Sequence, residues 1–281
     1  MPLTPTRTLL QRAAADRTGV GAFNVLSIET AEGLVSAAER SGLGVILQIS
    51  ENCVSYHGGL EPIAAATMAL ASGSSADVAV HLDHATDEAL ALRAVDLGFG
   101  SVMFDGAVLD YADNVAATRR VVAAAHSAGV LVEAELGTIG GKDGAHAPGV
   151  RTDPGEAASF TADTGVDALA VAVGSSHAMQ HREAALDLDL IARIARVVPV
   201  PLVLHGSSGV PDDQLVRAIS AGMTKINVST HLNGHFTRAV RAVLESDAAL
   251  VDSRRYLAAG RAALSTEAER LLLLFAGRAA A

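Results

Sequence analysis

Short apolar segments alternate with longer alanine-rich segments eight times along this chain, and this alternation limits the possible folds more than any other feature. Short apolar runs are typical of buried parallel strands. We predict strands at residues 19–24, 45–49, 78–82, 101–104, 131–135, 168–173, 202–204 and 225–228. Apolar residues at helical spacing follow each strand and predict helices at residues 27–41, 62–72, 86–97, 111–128, 154–164, 189–197, 211–221 and 230–245. Eight strand–helix units predict a TIM barrel, the (β/α)8 fold of the α/β class.

Glycine and proline mark several of the predicted helix boundaries. Asp153 followed by Pro154 is typical of a helix start. Glycines that can end a helix in the left-handed conformation are Gly42, Gly98, Gly129, Gly165 and Gly222. Because no low-complexity linker interrupts the pattern, we expect one domain over residues 1–281, with a helical tail from about Asp252. A doubly wound open sheet is the rival fold, but it usually has a glycine-rich fingerprint after its first strand, and Gly21-Ala22-Phe23-Asn24 is not one.

The composition excludes several classes of protein. Half of the residues are hydrophobic but only 3% are aromatic, so the core must be aliphatic. A net charge of −10 argues against a nucleic-acid-binding surface, although a local pocket can still bind a small anion. Cys53 is the only cysteine, which excludes an internal disulfide and favours a reducing compartment. The sequence shows no signal peptide and no apolar run long enough to span a bilayer, so we expect a cytoplasmic enzyme with no membrane partner.

Polar residues lie at or just after the carboxyl end of every predicted strand, where barrels of this kind carry their chemistry. In chain order they are Asn24, Ser50, Asp83 with His84, Asp105, Glu135, His177, His205 and Asn227. Three imidazoles with an open fourth position are typical of a catalytic zinc site, whereas structural sites usually contain several cysteines. We therefore predict a catalytic divalent metal on His84, His177 and His205, with zinc as the expected ion and cobalt as an alternative that fits the same ligands.

The segment His81-Leu82-Asp83-His84 adds an acid/base candidate beside the metal. Side chains alternate between faces in a regular strand, so Asp83 and His84 can share a face only if the chain bends at the strand end. Asp83 is the predicted acid/base, and the alternatives are a helix N-cap or a partner that orients a histidine. His81 is expected to be structural, directed into the barrel or toward a neighbour.

Two glycine-rich turns and the last strand indicate an anion site. The turns are Gly174-Ser175-Ser176-His177 and His205-Gly206-Ser207-Ser208-Gly209, and Asn227-Val228-Ser229-Thr230 leads into a predicted helix. Small residues let backbone N–H groups approach an anion, and the loops after strands seven and eight are common phosphate sites in barrels. Their position beside the candidate metal ligands predicts a phosphorylated substrate.

Over nearly its whole length the sequence resembles the class II, metal-dependent ketose-bisphosphate aldolases, which act on fructose or tagatose 1,6-bisphosphate. The matching segments are Ala22-Phe23-Asn24, His81-Leu82-Asp83-His84-Ala85, Phe104-Asp105-Gly106, Glu133-Ala134-Glu135-Leu136-Gly137 with Gly140-Gly141, Ala170-Val171-Ala172-Val173-Gly174 with His177, residues 201–209, Lys225-Ile226-Asn227 and residues 252–256. Several spaced motifs in the same order make this resemblance specific.

The resemblance implies reversible retro-aldol cleavage to dihydroxyacetone phosphate and glyceraldehyde 3-phosphate. Asp83 would take the proton of the C4 hydroxyl, the C3–C4 bond would break, and the metal would stabilise the enediolate. Asp105 and Glu135 match residues that can hold the metal in a second position. The implied substrate-binding residues are Asn24, Ser50, Gly174, Ala178, Gly206, Ser207, Ser208, Asn227, Ser229, Thr230 and Arg254. Arg254 matches an arginine that reaches into a neighbouring subunit, which implies a homodimer or homotetramer, and relatives also bind a monovalent cation (Na⁺ or K⁺) near the phosphate.

Lysine usage supports the metal-dependent class. Schiff-base aldolases need a nucleophilic lysine in the barrel mouth. This chain has only Lys142 and Lys225, and Lys225 begins the predicted eighth strand, at the wrong end for the mouth. A metal would therefore have to act as the electron sink.

Some positions depart from the family pattern. The loop glutamate that relatives carry after their paired glycines is replaced by Asp143, which either shuttles the proton at C3 or is a solvated loop residue. Ala178, Gln180, Ser207 and Ser253 also replace the residues usual in relatives. The alternative to a fructose or tagatose substrate is therefore another phosphorylated keto sugar or deoxy-keto acid, as in inositol breakdown.

Two other kinds of function have sequence signatures that can be compared with this chain. A zinc-dependent barrel hydrolase usually has a His-x-His pair on its first strand, where this chain has Phe23-Asn24. A non-catalytic phosphosugar-binding relative would have lost a metal ligand or Asp83, and all four residues are present.

Overall fold

Eight parallel strands close into a barrel in the computed structural model, which describes residues 3–136, 151–177, 179 and 181–278. The strands are β1 (Val20–Asn24), β2 (Val45–Ser50), β3 (Val78–Ala85), β4 (Ser101–Phe104), β5 (Leu131–Leu136), β6 (Ala168–Val171), β7 (Leu202–Leu204) and β8 (Met223–Val228). Each strand pairs with the next along the chain, and β8 pairs back onto β1 with Val20 opposite Lys225. The predicted TIM barrel is confirmed.

Eleven α-helices accompany the strands in the described part of the chain. They are α1 (Thr6–Asp16), α2 (Ile28–Ser41), α3 (Glu51–His57), α4 (Glu61–Gly73), α5 (Glu88–Asp96), α6 (Tyr111–Ser127), α7 (Pro154–Thr164), α8 (Leu188–Val197), α9 (Asp212–Ala221), α10 (Thr230–Ser246) and α11 (Ser253–Phe275). The eight predicted helices correspond to α2 and to α4 through α10. Two helices were not predicted from the sequence: α1, which precedes the first strand, and the short α3, which begins directly where β2 ends.

Local sequence signals fix several helix ends. The hydroxyl of Ser27 accepts the Thr30 N–H, and Thr30 reciprocates, so α2 starts with a capping box. Asp153 accepts the N–H groups of Gly155 and Glu156 ahead of α7, as predicted. Gly165 ends α7 with a φ of 74°, a left-handed conformation that costs glycine little.

Helix α1 closes the amino-terminal end of the barrel. Its apolar residues Leu9, Leu10 and Ala13 form one buried cluster with barrel-lining residues such as Ala22 and Ile46. The Thr6 hydroxyl lies 2.8 Å from that of Ser101, the first residue of β4. With this end covered, the open mouth is at the carboxyl ends of the strands.

The carboxyl-terminal tail is helical, as predicted. Asp252 accepts the Arg254 N–H at the start of α11, and α11 packs against α10 and α2. The side chain of Phe275 near its end is buried against Phe23 of β1, with ring centroids 6.4 Å apart. Among the described residues, no helix is both long and apolar enough to cross a membrane.

Candidate active site

A cavity of about 180 Å³ opens at the carboxyl ends of the strands. Most of its lining consists of residues at strand ends or in the loops that follow them, as a barrel of this kind requires. The lining residues are Asn24, Gln48, Ser50, Asn52, Asp83, His84, His177, His205, Gly206, Ser208, Asn227, Ser229 and Thr230. The structure thus brings together the three candidate metal ligands, Asp83 and most of the predicted anion site.

A backbone bend brings Asp83 and His84 to the same cavity. His84 has a φ of 54°, a left-handed conformation that is uncommon for residues other than glycine. The pairing of β3 with β4 shifts register between Leu82 and Ala85, so strand pairing resumes beyond the bend. Two consecutive side chains that a regular strand would point to opposite faces therefore both line the cavity.

Asp105 orients the imidazole of His84. The Oδ2 atom of Asp105 lies 2.8 Å from Nδ1 of His84, and the Asp105 side chain is buried at the end of β4. An ionised carboxylate can only accept, so Nδ1 carries the proton and Nε2 presents its lone pair.

Glu133 performs the same role for His205. Its Oε1 atom lies 3.0 Å from Nε2 of His205, and both side chains are almost fully buried. The side-chain amide of Asn227 lies 3.1 Å from the same Nε2 atom. A proton on Nε2 directed at the Glu133 carboxylate leaves the lone pair on Nδ1, which lies 2.9 Å from Nε2 of His84. Burial lowers the pKa of His205 well below its usual value, and a proton on the neighbouring His84 would lower it further, so the neutral imidazole is favoured.

His177 completes the group from the loop after β6. The hydroxyl of Ser175 donates to the backbone carbonyl of His205 at 2.6 Å, which ties this loop to the end of β7. The His177 ring lies 5.1 Å from that of His84 and 5.8 Å from that of His205, measured between centroids.

The three imidazoles fit a divalent metal. One ligand nitrogen from each histidine lies within 4.8 Å of the other two. Two lone pairs that face each other at 2.9 Å repel unless a cation lies between them, and the carboxylates on the outer nitrogens keep both imidazoles in the ligating form. This all-nitrogen donor set suits zinc or cobalt.

A second candidate group shares His84. Ligand atoms of His84, Asp105 and Glu135 also lie within 4.8 Å of one another. Asp105 and Glu135 do not line the cavity in the described residues but lie beside it, buried at the ends of β4 and β5. The second metal position that the family resemblance implies at Asp105 and Glu135 stays a prediction.

The carboxylate of Asp83 accepts hydrogen bonds from two side-chain amides and does not cap a helix. Its Oδ2 atom accepts the side-chain amide N–H groups of Asn24 at 3.3 Å and Gln48 at 3.5 Å. Helix α5 is capped by Asp87, so Asp83 is not an N-cap. Burial raises the pKa of Asp83, whereas a proton on the neighbouring His84 or His205 imidazole would lower it, and the net pKa lies below its usual value. No hydrogen-bond donor of the described chain contacts the buried Oδ1 atom of Asp83.

Two lining residues, Gln48 and Asn52, were absent from the sequence-based prediction. Gln48 lies inside β2 and also donates to Oδ1 of Asn24 at 2.8 Å. It therefore contacts both Asn24 and Asp83, which are themselves hydrogen-bonded to each other. The signal that could have identified it is its position two residues before Ser50, on the same face of β2. Asn52 lies in the unpredicted helix α3, whose N-cap is Ser50.

The residues of the predicted anion site lie around the start of α10. The hydroxyl of Ser208 accepts the backbone N–H groups of Ser229 and His231 at 3.3 and 3.2 Å, which fixes the loop after β7 against this helix. Gly206 has a φ of 66°, and a Cβ there would lie 2.6 Å from the carbonyl oxygen of Ser176. Glycine is thus required where the two loops meet.

The remaining predicted residues lie elsewhere. Ser207 is buried, and its hydroxyl donates to the carbonyl of Asn227 instead of lining the cavity. Gly174, with a φ of 119°, packs close to the carbonyl of Ala185. Arg254 pairs with Asp252, and its side chain is 89% exposed. Asp143 and Ala178 lie outside the described residues.

Lys225 is buried inside the barrel. It is the third residue of β8, and its Nζ lies 2.7 Å from Oε2 of Glu133 and 3.4 Å from Nε2 of His81. Lys225 does not line the cavity at the mouth, and its ammonium group pairs with the buried Glu133 carboxylate. His81 also lies 2.7 Å from the Ser101 hydroxyl inside the barrel, in agreement with a structural role.

Comparisons with known proteins agree with this geometry. The family model of class II fructose-bisphosphate aldolase matches residues 4–278. The chain is 38% identical over 268 residues to a fructose-bisphosphate aldolase of Geobacillus stearothermophilus, covering 94% of this chain and 93% of the relative. It is 36% identical over 267 residues to a 6-phospho-5-dehydro-2-deoxy-D-gluconate aldolase of Bacillus licheniformis, covering 94% and 91% of the two chains.

A solved structure shows the same architecture. The crystal structure of the YdjI aldolase from Escherichia coli K12 superposes with a TM-score of 0.82 at 29% identity, covering 97% of each chain. The matched residues 4–278 include all eight strands of the barrel and the three histidines of the cluster. The chain belongs to the class II fructose-bisphosphate aldolase family.

Proposed function

We propose that this protein is a zinc-dependent aldolase that cleaves a ketose 1,6-bisphosphate reversibly to dihydroxyacetone phosphate and glyceraldehyde 3-phosphate. Fructose 1,6-bisphosphate and tagatose 1,6-bisphosphate are the proposed substrates. The observation that carries the proposal is the convergence of His84, His177 and His205 beside the carboxylate of Asp83 in one cavity. The family supplies the reaction class, and the cavity supplies the residues that would perform it.

His84, His177 and His205 would hold the metal, with Asp105 and Glu135 offering a neighbouring position. A bound zinc ion, or cobalt in its place, would polarise the ketone and stabilise the negative charge that develops as the carbon–carbon bond breaks. Asp105 and Glu133 keep His84 and His205 in the tautomers that such an ion requires.

Asp83 would act as the acid/base. Because Asn24 and Gln48 occupy Oδ2, Oδ1 is the oxygen that can accept the proton of the C4 hydroxyl. As that proton leaves, the C4–O bond becomes the aldehyde carbonyl, the C3–C4 bond breaks and its electron pair passes toward C2. Protonation at C3 then completes cleavage, and Asp143 remains the predicted donor.

The substrate phosphate on the dihydroxyacetone side would bind at the start of α10. Gly206, Ser208, Ser229 and Thr230 line that side of the cavity, and a helix N-terminus favours a dianion. The first turn of α10 contains no acidic residue that would oppose it. By resemblance to relatives, a sodium or potassium ion on backbone carbonyls would lie near this phosphate.

Binding of the second phosphate of the substrate would involve a neighbouring subunit. Ser50 and Asn52 line the β2 side of the cavity, but no lysine or arginine of the described chain does. The exposed side chain of Arg254 is available to reach a neighbouring cavity. We therefore propose a homodimer or homotetramer in which Arg254 binds the second phosphate of the partner's substrate.

A second candidate substrate is favoured by one observation. The relative that acts on 6-phospho-5-dehydro-2-deoxy-D-gluconate is nearly as similar to this chain as the fructose-bisphosphate aldolase is. Both substrates yield dihydroxyacetone phosphate by the same bond cleavage, and they differ only in the other half, which carries a phosphate in one and a carboxylate in the other. The metal and Asp83 would serve either reaction.

A cleavage assay on a substrate panel tests these proposals. Release of dihydroxyacetone phosphate from the two ketose bisphosphates and the deoxy-gluconate phosphate would be followed after chelation and after zinc or cobalt is restored. We expect activity that depends on metal and that falls roughly 10²- to 10⁴-fold in Asp83→Asn. Full activity in the metal-stripped protein would refute the metal mechanism, and activity on the deoxy-gluconate phosphate alone would select the second substrate.

A further inference from the structure

A second cluster of metal-ligating side chains lies outside the barrel mouth, between the last two helices. His231 and His235 are one turn apart on α10, and Glu267 faces them from α11. The Nε2 atom of His231 lies 2.6 Å from Oε1 of Glu267, and the two imidazole rings are 4.9 Å apart between centroids. One ligand atom from each of the three residues lies within 4.8 Å of the other two.

This pattern suits a borderline transition metal. Two histidines at i and i+4 present both imidazoles on one helix face, and a carboxylate from a second element provides a third ligand. Glu267 is buried, whereas His231 and His235 are half-buried, so an ion can reach the cluster from solvent. Burial lowers the pKa of His235, which favours the neutral imidazole that a metal needs.

The charges of Arg270, Asp212 and Arg238 lie around the cluster and affect its affinity for a metal ion. Arg270 donates to both oxygens of Glu267, with Nε 2.9 Å from Oε2 and Nη2 2.7 Å from Oε1. Asp212 engages the same guanidinium at 2.6 Å and balances its charge. The charge of Arg238 also acts on His235. We therefore expect weaker binding here than at the mouth, where the ligands are surrounded by carboxylates.

We propose that His231, His235 and Glu267 form a second metal site, for a divalent ion of the zinc, cobalt or nickel class. An ion there would join α10 to α11 through side chains rather than through packing alone. The backbone N–H of His231 donates to Ser208, which lines the cavity, so the ion would also hold the first turn of α10 in place. The site does not depend on which substrate the enzyme cleaves.

Metal stoichiometry on the full-length protein tests the site. The chelator-treated protein would be reconstituted with cobalt(II), freed of unbound metal and assayed for cobalt per chain by mass spectrometry. His235→Asn removes one ligand while leaving His231, whose backbone contacts the cavity loop. His126→Asn is the matched control, because His126 also pairs with a carboxylate, Asp167, and belongs to neither histidine cluster.

We expect the wild-type protein and His126→Asn to retain one more cobalt ion per chain than His235→Asn. Added cobalt should also raise the unfolding temperature less in His235→Asn than in the other two proteins. Equal cobalt content in all three proteins would overturn the proposal and leave the cluster as an ion pair between helices. Because the comparison counts metal and not turnover, it stands whether or not the proposed aldolase activity is found.

Discussion

The Nε2 atom of His84 lies 2.9 Å from the Nδ1 atom of His205, although the two residues are 121 positions apart in the chain. On each imidazole the other nitrogen faces a buried carboxylate, from Asp105 in one case and from Glu133 in the other. Those carboxylates take the proton-bearing nitrogens and leave two lone pairs facing one another. The site therefore consists of more than three histidines, because its outer carboxylates decide which nitrogens can bind a metal.

Removing Asp105 should weaken metal binding. In Asp105→Ala, Nδ1 of His84 loses the carboxylate that accepts its proton, so the orientation and tautomer of the ring are less strictly held. We expect zinc affinity to fall roughly 10- to 100-fold, measured by competition with a chromophoric chelator. Asp213→Ala, at an exposed position on α9, is the control and should keep wild-type affinity. Equal affinities in the two variants would count against the orienting role of Asp105.

Removing Gln48 should slow catalysis without removing the metal. Its amide donates to Asn24 and to the Asp83 carboxylate. Hydrogen bonds to charged groups contribute about 1.5–3 kcal/mol, which corresponds to roughly 10- to 100-fold in rate. We expect Gln48→Ala to lose that much in kcat while its zinc content stays at the wild-type level. Gln214→Ala, which removes a half-buried glutamine on α9, should be unaffected, and a change in KM alone for Gln48→Ala would argue for a binding role instead.

The barrel and the mouth were predictable from the sequence because each follows from a local rule. Apolar runs separated by amphipathic helices define the strands, and parallel strands of a barrel present their carboxyl ends at one mouth. The sequence predicted that the chain must bend near His84, because Asp83 and His84 are consecutive and a regular strand would point their side chains to opposite faces. Nothing in the local sequence fixes the left-handed conformation that achieves it.

Of the polar layer beneath the mouth, only His81 was predicted to be directed into the barrel, and the pattern of the whole layer is visible in the structure. Gln48, His81, Glu133 and Lys225 each lie two residues before a strand-end residue that had been identified: Ser50, Asp83, Glu135 and Asn227. A period of two places them on the same inward face, one layer deeper. Which of them meet across the barrel depends on the stagger of the eight strands, which no single segment encodes. The contact between Lys225 and Glu133, which are 92 positions apart in the chain, depends on this stagger.

That deeper layer predicts a stability effect. Glu133→Gln would leave the buried ammonium of Lys225 without its counter-charge, and breaking a buried ion pair from one side typically costs about 3–5 kcal/mol. We expect a loss of this size in the free energy of unfolding, measured in urea on the metal-free protein. The double variant Glu133→Gln/Lys225→Met should recover part of it because the unpaired charge is gone. A double variant less stable than Glu133→Gln would contradict this explanation.

A last prediction concerns acid stability and the junction of three elements at Asp167. Its carboxylate accepts from Arg7 of α1 and His126 of α6 at 2.7 Å each, and from the backbone N–H of Val132 in β5 at 2.9 Å. Burial raises the pKa of Asp167, but these donors lower it by more, so its pKa in the folded protein lies below the usual value. In the unfolded chain the carboxyl titrates near its ordinary value of about 3.9.

Because the folded pKa is the lower of the two, the unfolded state takes up the proton first as the pH falls. The contribution of Asp167 is therefore complete above about pH 4 and is lost as the pH falls through the folded pKa. We expect Asp167→Asn to lower the free energy of unfolding by about 1–3 kcal/mol at pH 7, and by less at about pH 3, in urea titrations. Asp213→Asn, on the exposed face of α9, should show little difference at either pH. A deficit in Asp167→Asn that stayed constant or grew in acid would mean that packing, and not the ionised carboxylate, holds this junction together.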